Sequence, residues 1–268
     1  MSGHVAIHGA RVLLTGATGG IGQAIARELA GRGAKLVLTG RKADVLEPLA
    51  ASLDARALPV DLADRSDAAR LARECGDVDV LVANAALPGS GLLDSYTTEQ
   101  IDRALDVNLR APILLAHALA PGMVERGGGQ LVFIGSLAGK SANGGGSMYS
   151  ATKFGVRGFA LALRHDLADR NVGVTTINPG FIRDAGMFHD SGAKLPPGVG
   201  TKRPEDVARA VVRAIEDDPT EIDVAPVALK AGAAFAALAP GVADVVTRRL
   251  ERRARVAQQL ADAQASQR

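Results

Sequence analysis

A serine, a tyrosine and a lysine within residues 136–153 have side chains that could move a proton. Tyr149 and Lys153 are four residues apart at the start of an amphipathic helical pattern, so both side chains share one helical face. A phenol releases its proton near pH ~10, and a neighbouring cation favours its ionised form. We therefore expect Lys153 to lower the pKa of Tyr149 and to make proton exchange with a substrate oxygen feasible.

Ser136 follows the apolar run 130–134, which is predicted to be a buried strand. Its hydroxyl would then lie at a strand tip, where ligands gather in open α/β sheets. Glycines 144–146 let the chain double back towards Tyr149. The alternative is a surface pair of Tyr149 and Lys153 without a catalytic role, because this short spacing also arises by chance.

Short apolar runs alternate with helical patterns along the chain, which is typical of a parallel sheet with crossover helices. Seven runs are predicted to be strands, at residues 11–15, 35–39, 55–60, 78–83, 130–134, 172–178 and 221–224. The sequence thus predicts an α/β fold, a doubly wound sheet of seven parallel strands with helices on both faces. We divide the chain into a nucleotide-binding catalytic domain, 1–225, and a C-terminal helical extension, 226–268.

A glycine-rich turn joins the first predicted strand to the first predicted helix. Gly16, Gly20 and Gly22 allow a tight turn, a close approach of the backbone to a phosphate, and close helix packing. The N-terminus of the helix adds free N–H groups and a positive dipole end. This context favours nucleotide binding over a loop that merely turns.

The tip of the second predicted strand bears on the choice of nucleotide. In such folds an acidic side chain there holds the ribose 2′-hydroxyl, whereas an arginine accommodates a 2′-phosphate. Gly40 and Arg41 occupy this tip, followed by Lys42, so the chain has the arginine and lacks the acid. We expect NADP(H) to be favoured over NAD(H).

Composition excludes several other classes of protein. Apolar residues make up 47% of the 268, enough for a sizeable core, and a single cysteine fits a reducing compartment. The five histidines show no metal-ligand spacing, so we assign no metal. A formal net charge of +2 does not suggest nucleic acid as a partner. No apolar run reaches the length of a membrane span and no signal-peptide pattern is seen, so we expect a cytoplasmic protein.

Taken together, these motifs resemble the short-chain dehydrogenase/reductases, single-domain Rossmann enzymes, over about residues 9–225. The resemblance rests on six motifs in the family's order, namely the Thr15–Gly22 turn, Asn84-Ala85, Asn108, Ser136, Tyr149-x-x-x-Lys153 and Asn178-Pro179-Gly180. It implies a catalytic tetrad of Asn108, Ser136, Tyr149 and Lys153, with the tyrosine as acid or base and the serine orienting the substrate oxygen. Lys153 would also bind the nicotinamide ribose, and Asn108 would support a water in a proton relay.

The resemblance also implies the residues that contact cofactor and substrate. The cofactor set is Gly16, Thr18, Gly20, Ile21, Gly22, Arg41, Asp61, Leu62, Asn84, Ala85, Tyr149, Lys153, Pro179, Gly180 and Ile182. The substrate set is Ser136, Tyr149, Phe181 and Met187.

Three positions leave questions open. Ala86 stands where the family has the glycine of its Asn-Ala-Gly turn, which loosens the expected approach of the backbone to the cofactor. Asp184 stands where a threonine is common near the nicotinamide carboxamide, and its carboxylate could accept from that amide. Asn108 lies mid-helix, where it could be solvated, expose a carbonyl or hold a water, and Pro112 suggests a kink or a restart of the helix.

Two segments outside the common motifs carry further expectations. Residues 181–200 include Met187 and Phe188 and correspond to a mobile lid in the family, which suits a lipophilic carbonyl substrate. An ordinary surface loop is the alternative. Residues 226–268 combine a thin apolar stripe with an arginine run, for which a solvated helix face is the simpler interpretation. Contact with anionic lipid or with a neighbouring subunit is the alternative.

Three functional hypotheses follow. The first is an NADP(H)-dependent oxidoreductase that moves a hydride between nicotinamide and a small-molecule carbonyl or secondary alcohol, as a homodimer or homotetramer. The second is an NAD(H)-dependent enzyme of the same fold. The third is a redox-silent nucleotide-binding module, for which loss of Tyr149 or Lys153 would be the expected mark.

Overall fold

A computed structural model describes residues 5–192, 195, 199–251 and 264. Seven parallel strands form one sheet in the order β3-β2-β1-β4-β5-β6-β7. The strands are β1 Arg11–Thr15, β2 Lys35–Gly40, β3 Arg56–Pro59, β4 Val80–Ala83, β5 Gly129–Ile134, β6 Val172–Pro179 and β7 Glu221–Val224. The predicted fold class is confirmed, and the predicted strand ends differ from the observed ones by at most two residues.

Helices cover both faces of the sheet. One face carries α1 Gly20–Gly31, α2 Ala43–Ser52 and α8 Pro204–Asp217. The other carries α3 Arg65–Glu74, α5 Ala111–Glu125 and α6 Ser147–Asp166, with α4 Thr98–Leu105 leading into α5. The remaining helices are α7 Met187–Asp190, α9 Val227–Leu238 and α10 Pro240–Glu251.

Successive side chains of each strand pack on opposite faces of the sheet, so the core has two layers. Leu14 of β1 packs with Ile25 of α1 and Val211 of α8, whereas its neighbour Leu13 packs on the opposite face with Leu115 of α5. Successive side chains of a strand point to opposite faces, and a parallel sheet covered on both sides needs both sets to be apolar. The strand tips therefore sit on a rigid, doubly packed sheet.

A capping box starts α4, since Thr97 accepts from the N–H of Gln100 and its own N–H donates to the Gln100 side chain. The helix then runs without a break through a π-helical segment, Asp106–Arg110, into α5. The helix does not restart at Pro112, because α4 passes into α5 through the π turn. Proline has no N–H, so the Asn108 carbonyl lacks its α-helical partner, and the wider turn accommodates this.

The continuous run 98–125 is, within the described residues, the one helix long and apolar enough to cross a membrane. Its best window has a mean hydropathy of 1.2, and half of that window is buried inside the protein. It packs against α3 and α6, as a core helix does.

Candidate active site

The carboxyl ends of the strands open into a cleft of roughly 1280 Å³. This volume exceeds the few hundred to a thousand Å³ typical of a small-ligand pocket, so it can take a dinucleotide together with a substrate. All predicted cofactor and substrate residues line the cleft. Of the predicted tetrad, only Asn108 does not line the cleft.

The glycine-rich turn is held against the tip of β4. Gly16 has φ +67°, and a Cβ there would come within 2.7 Å of the Ala85 Cα. A Cβ on Gly22 would lie 2.1 Å from the Gly16 carbonyl oxygen. Both approaches require glycine, which gives the turn the backbone cradle expected for a pyrophosphate.

Hydrogen bonds fix this cradle to its neighbour. The Thr15 hydroxyl accepts from the backbone N–H groups of Asn84 and Ala85, both at 3.0 Å. The Asn84 side-chain amide donates to the carbonyls of Thr15 and Gly16, at 3.0 and 3.1 Å. The N-cap of α1 has no capping side chain, and its first turn has no acid. The N-terminal N–H groups of α1 therefore face the cleft without a local negative charge, as an anion site requires.

The far end of the cleft is rich in cations. Arg41 and Lys42 are exposed at the tip of β2, as predicted. Across from them, Arg103 of α4 donates to the Asp61 carboxylate over 3.2 Å. Arg103 also lines the cleft, and sequence reasoning missed it because nothing in a helix interior indicates which strand tip it reaches.

Tyr149 and Ser136 meet at the middle of the cleft. The Tyr149 phenol is hydrogen-bonded to the Ser136 side chain, and burial raises the pKa of Tyr149 while that bond opposes the rise. The Ser136 Oγ accepts from the Ala138 N–H at 3.1 Å. Gly89 of the β4–α4 loop packs closely against Tyr149, because a Cβ on Gly89 would lie 2.9 Å from the Tyr149 Cβ.

Lys153 stands beside this pair, and its ammonium is held by a backbone carbonyl. Its ammonium donates to the Ile134 carbonyl at 2.9 Å and lies 5.6 Å from the centre of the Tyr149 ring. The side chain is 3% exposed, and burial lowers the pKa of Lys153 to about 8. The expected lowering of the Tyr149 pKa by Lys153 is not seen, because desolvation of the phenolate raises that pKa by more than the hydrogen bond with Ser136 lowers it. A neutral tyrosine in this position is suited to donating a proton.

Asn108 is buried rather than solvated. Its side chain accepts from the Leu87 N–H at 2.6 Å and donates to the Leu87 carbonyl at 2.9 Å. It also reaches the Thr152 hydroxyl at 3.5 Å, and Thr152 in turn donates to the Tyr149 carbonyl at 2.9 Å. The side chain thus connects the β4–α4 loop to the helix that carries Tyr149. The backbone carbonyl of Asn108 can accept from another donor, because Pro112 has no N–H to donate to it.

The loop that carries Ser136 is anchored at the end of β7. Lys140 donates to Asp223 at 2.8 Å and pairs with Glu221 at 3.2 Å. The Asn178 amide donates to the same two carboxylates, at 3.1 and 3.2 Å. Both carboxylates therefore have several donors, which offsets their partial burial and holds the Ser136 loop in place.

The segment after β6 covers the glycine turn. A Cβ on Gly20 would lie 2.2 Å from the Cβ of Ala185, and the rings of Phe181 and Phe188 pack 5.1 Å apart. Asp184, for which a contact with the nicotinamide carboxamide was left open, does not line the cleft. It is 61% exposed and pairs at the surface with Arg183 and Arg203.

The C-terminal extension contributes to the cleft, which the sequence motifs did not indicate. Six residues of α9 line it, namely Ala228, Leu229, Gly232, Ala233, Phe235 and Ala236. Gln264 is 3% exposed and joins the two walls, since it accepts from the Ser90 N–H at 3.4 Å and donates to the Met187 carbonyl at 3.3 Å. The alanine-rich α9 was a weak signal for close packing, and no signal marked Gln264. The arginine run beyond residue 251 lies outside the described residues.

Comparison with known proteins agrees with this geometry. A model of the short chain dehydrogenases matches residues 10–196. The chain belongs to this family of oxidoreductases. The ketoacyl reductase HetN of Nostoc sp. is a short-chain dehydrogenase relative, 36% identical over 225 residues that cover 81% of this chain and 78% of that protein.

Two further family members show the range of the likeness. The NADP-dependent 3-hydroxy acid dehydrogenase YdfG of Salmonella typhi is 40% identical over 179 residues, covering 64% of this chain and 72% of that protein. A solved short-chain dehydrogenase from Sphingobium yanoikuyae in complex with NADPH is 31% identical with a TM-score of 0.74, over 80% of this chain and 87% of that one. The family resemblance read from the motifs is confirmed.

Proposed function

We propose that this protein is an NADP(H)-dependent oxidoreductase that interconverts a lipophilic carbonyl compound and its secondary alcohol, with Tyr149 as the general acid or base. The observation that carries the proposal is the cluster at the centre of the cleft. There the Tyr149 phenol is hydrogen-bonded to the Ser136 side chain, and the Lys153 ammonium lies 5.6 Å from the centre of the Tyr149 ring. Family relatives named as ketoacyl reductase and 3-hydroxy acid dehydrogenase support the same class of chemistry.

In the reductive direction Tyr149 gives its proton to the substrate oxygen. Burial raises the pKa of the phenol, so the protonated acid is the resting form at neutral pH. The Ser136 Oγ accepts from the Ala138 N–H, and its hydroxyl donates to the Pro179 carbonyl over a long 3.5 Å, a weak bond that it can exchange for one to the same substrate oxygen. The Lys153 ammonium then stabilises the phenolate that forms. In the oxidative direction the phenolate takes the proton from the alcohol.

The nicotinamide supplies or accepts the hydride when the cofactor is bound. The glycine cradle of Gly16 and Gly22, with the uncapped N-terminus of α1, would hold the pyrophosphate. Asp61, Leu62 and Lys153 line the cleft. The first two would lie at the adenosine end, and Lys153 would hold the nicotinamide ribose. A Cβ at Gly16 or Gly22 would collide with the backbone of Ala85 or of the turn itself, so only glycine allows this turn to form below the uncapped, acid-free N-terminus of α1. The residues present therefore fit a dinucleotide.

Preference for NADP(H) is supported by the tip of β2. Gly40 provides no carboxylate for a ribose 2′-hydroxyl, and Arg41 offers a planar fork that can pair with a 2′-phosphate. Charge-assisted bonds of this kind contribute roughly 1.5 to 3 kcal/mol each. Discrimination between the two nucleotides on the order of a hundredfold is therefore expected.

A lipophilic substrate is supported by the wall beyond Tyr149. Apolar side chains from the segment after β6 and from α9 line this part of the cleft, including Phe181, Met187, Leu229 and Phe235. Each methylene buried there would add up to about 0.8 kcal/mol to transition-state binding. The rate constant kcat/KM should therefore rise with the length of an apolar ketone.

An NAD(H)-dependent enzyme is the second candidate, because a solved Brucella melitensis reductase of similar fold is in complex with NADH. That chain is 26% identical with a TM-score of 0.73. We retain the cytoplasm as the expected location and a homodimer or homotetramer as the expected assembly.

Activity on a homologous series of ketones, followed by the absorbance of the reduced nicotinamide, tests the proposal. We expect turnover with NADPH and a kcat/KM that rises with chain length. No turnover of any ketone with either nucleotide, in protein that binds NADPH, would favour the redox-silent module.

A further inference from the structure

The C-terminal helices carry most of the large hydrophobic side chains that are exposed in the described chain. Eight large hydrophobic side chains are exposed among the described residues, and five of them lie within 19 residues of α9 and α10. These five, called the α9–α10 surface below, are Val227, Phe235, Leu238, Val242 and Val245. Single exposed apolar residues are ordinary, but a concentration of them marks a contact surface.

These side chains are not partly covered members of the core. Val227 is 81% exposed and Leu238 is 87% exposed, whereas in α9 only Ala233 is buried. α9 and α10 pack on each other, and neither belongs to the two core layers of the sheet. The hairpin of α9 and α10 is therefore an appendage with an apolar outer side.

Charge separates this extension from the rest of the chain. Residues 226–268 contain seven Lys or Arg and three Asp or Glu, whereas residues 1–225 contain two more acidic than basic side chains. A short segment that combines exposed apolar side chains with an excess of positive charge suits a surface with an anionic face and an apolar interior.

A second copy of this chain fits the same surface less well. A two-fold dimer would set each extension against its identical partner, so two segments of like charge would be brought together. Repulsion between the two positive segments would weaken such a dimer, whereas anionic lipid headgroups would attract each segment.

The position of the helices relates this surface to the cleft. Along α9, Ala228, Leu229 and Ala236 line the cleft, while Val227 and Leu238 at its two ends are exposed. Phe235 does both, being 48% exposed and part of the lining. The apolar surface thus adjoins the mouth of the cleft.

We propose that the α9–α10 surface docks the protein peripherally on anionic lipid bilayers, with the mouth of the cleft beside the membrane. The proposal rests on surface and charge and does not depend on the proposed redox activity. A single amphipathic surface of this size gives reversible binding, so the protein should exchange between membrane and solution.

Flotation of the full-length protein with lipid vesicles tests this. We expect binding to vesicles of phosphatidylcholine with phosphatidylglycerol, little binding to phosphatidylcholine alone, and weaker binding as salt rises. Leu238→Glu with Val242→Glu should weaken binding at least tenfold, because two apolar side chains no longer enter the bilayer. Arg248→Gln with Arg249→Gln should weaken it by about fivefold for each charge removed.

Leu93→Glu is the matched control, since Leu93 is 57% exposed and lies outside the extension. It should float like the wild type, and all variants should keep the wild-type melting temperature and NADPH affinity. Absence of flotation with anionic vesicles at low salt would overturn the proposal. Flotation of the Leu238→Glu, Val242→Glu variant equal to that of the wild type would also overturn it. If that variant instead changes from dimer to monomer in sedimentation and vesicles are not bound, a second copy is the occupant.

Discussion

The side chain of Thr18 fills the space into which a Cβ on Gly40 would project. The Thr18 Cγ2 and Oγ1 would lie 2.8 and 2.9 Å from that Cβ. Threonine has a short side chain that is stiff at χ1. An acidic side chain at position 40 would therefore collide with Thr18. The absence of an acid at the tip of β2 is therefore enforced by a neighbour in the glycine-rich turn.

Cofactor preference follows from this pair. Wild type should bind NADPH at least tenfold tighter than NADH, because Arg41 can pair with the 2′-phosphate. Gly40→Asp with Arg41→Ala should lose NADPH affinity but gain little for NADH, since Thr18 obstructs the new carboxylate. Adding Thr18→Ala should release the obstruction and let NADH bind better than NADPH. Calorimetric titration of both nucleotides measures this, and equal dissociation constants in the wild type would exclude Arg41 as the reader of the phosphate.

The tyrosine can be tested against a second phenol in the same chain. Tyr149→Phe should lower kcat by two or more powers of ten, a typical scale for general acid catalysis, while NADPH affinity stays within a few-fold. The chain has two tyrosines, and the other, Tyr96, lies outside the cleft lining, so Tyr96→Phe is the matched control. Steady-state kinetics decide the matter. Near-normal turnover of the Tyr149→Phe variant would remove Tyr149 from the mechanism.

The sequence predicted the architecture of this site better than its electrostatics. Strands, turns and the residues at their tips follow from local patterns, because the carboxyl ends of parallel strands converge whatever the details of packing. The pKa of Tyr149 is set by desolvation, which raises it, against the hydrogen bond with Ser136, which lowers it, and neither can be read from the four-residue spacing of Tyr149 and Lys153. The predicted lowering of the Tyr149 pKa by Lys153 was therefore wrong in direction.

Other features escaped prediction because they are long-range. Asn108 was placed in a helix correctly, but its bonds to Leu87 join residues 21 apart in the chain. The sequence left open whether Asp184 contacts the nicotinamide carboxamide, and in the structure its φ of +70° lies in the left-handed region and its carboxylate pairs with Arg183 at the surface. Gln264 contacts Ser90 across 174 positions. No periodicity or motif encodes such meetings.

The pH dependence of the reaction should report Lys153. Burial lowers the pKa of Lys153 to about 8, so the ammonium is mostly present at pH 7 and is lost as the pH rises above that value. The phenolate formed by Tyr149 then loses its stabilising charge. We expect the reductive kcat/KM to be flat below pH ~7 and to fall by about tenfold per unit well above pH ~8. Lys153→Arg, which keeps its charge in this range, should move the fall to higher pH if it still turns over. A reductive profile that rises between pH ~8 and ~9 would contradict this role.

The last prediction concerns the contact between the C-terminal extension and the segment that covers the cleft. Gln264 holds both walls, as a donor to the Met187 carbonyl and an acceptor from the Ser90 N–H. Gln264→Ala removes both bonds and should loosen the segment after β6, which trypsin would report as faster cleavage at Arg183. Gln264→Glu keeps an acceptor for Ser90 but no donor for Met187. Its cleavage rate should therefore approach that of Gln264→Ala if the Met187 bond holds the segment, and stay near wild type if the Ser90 bond is the important one. Wild-type cleavage in both variants, with unchanged KM for the longest ketone, would show that Gln264 does not restrain the cleft.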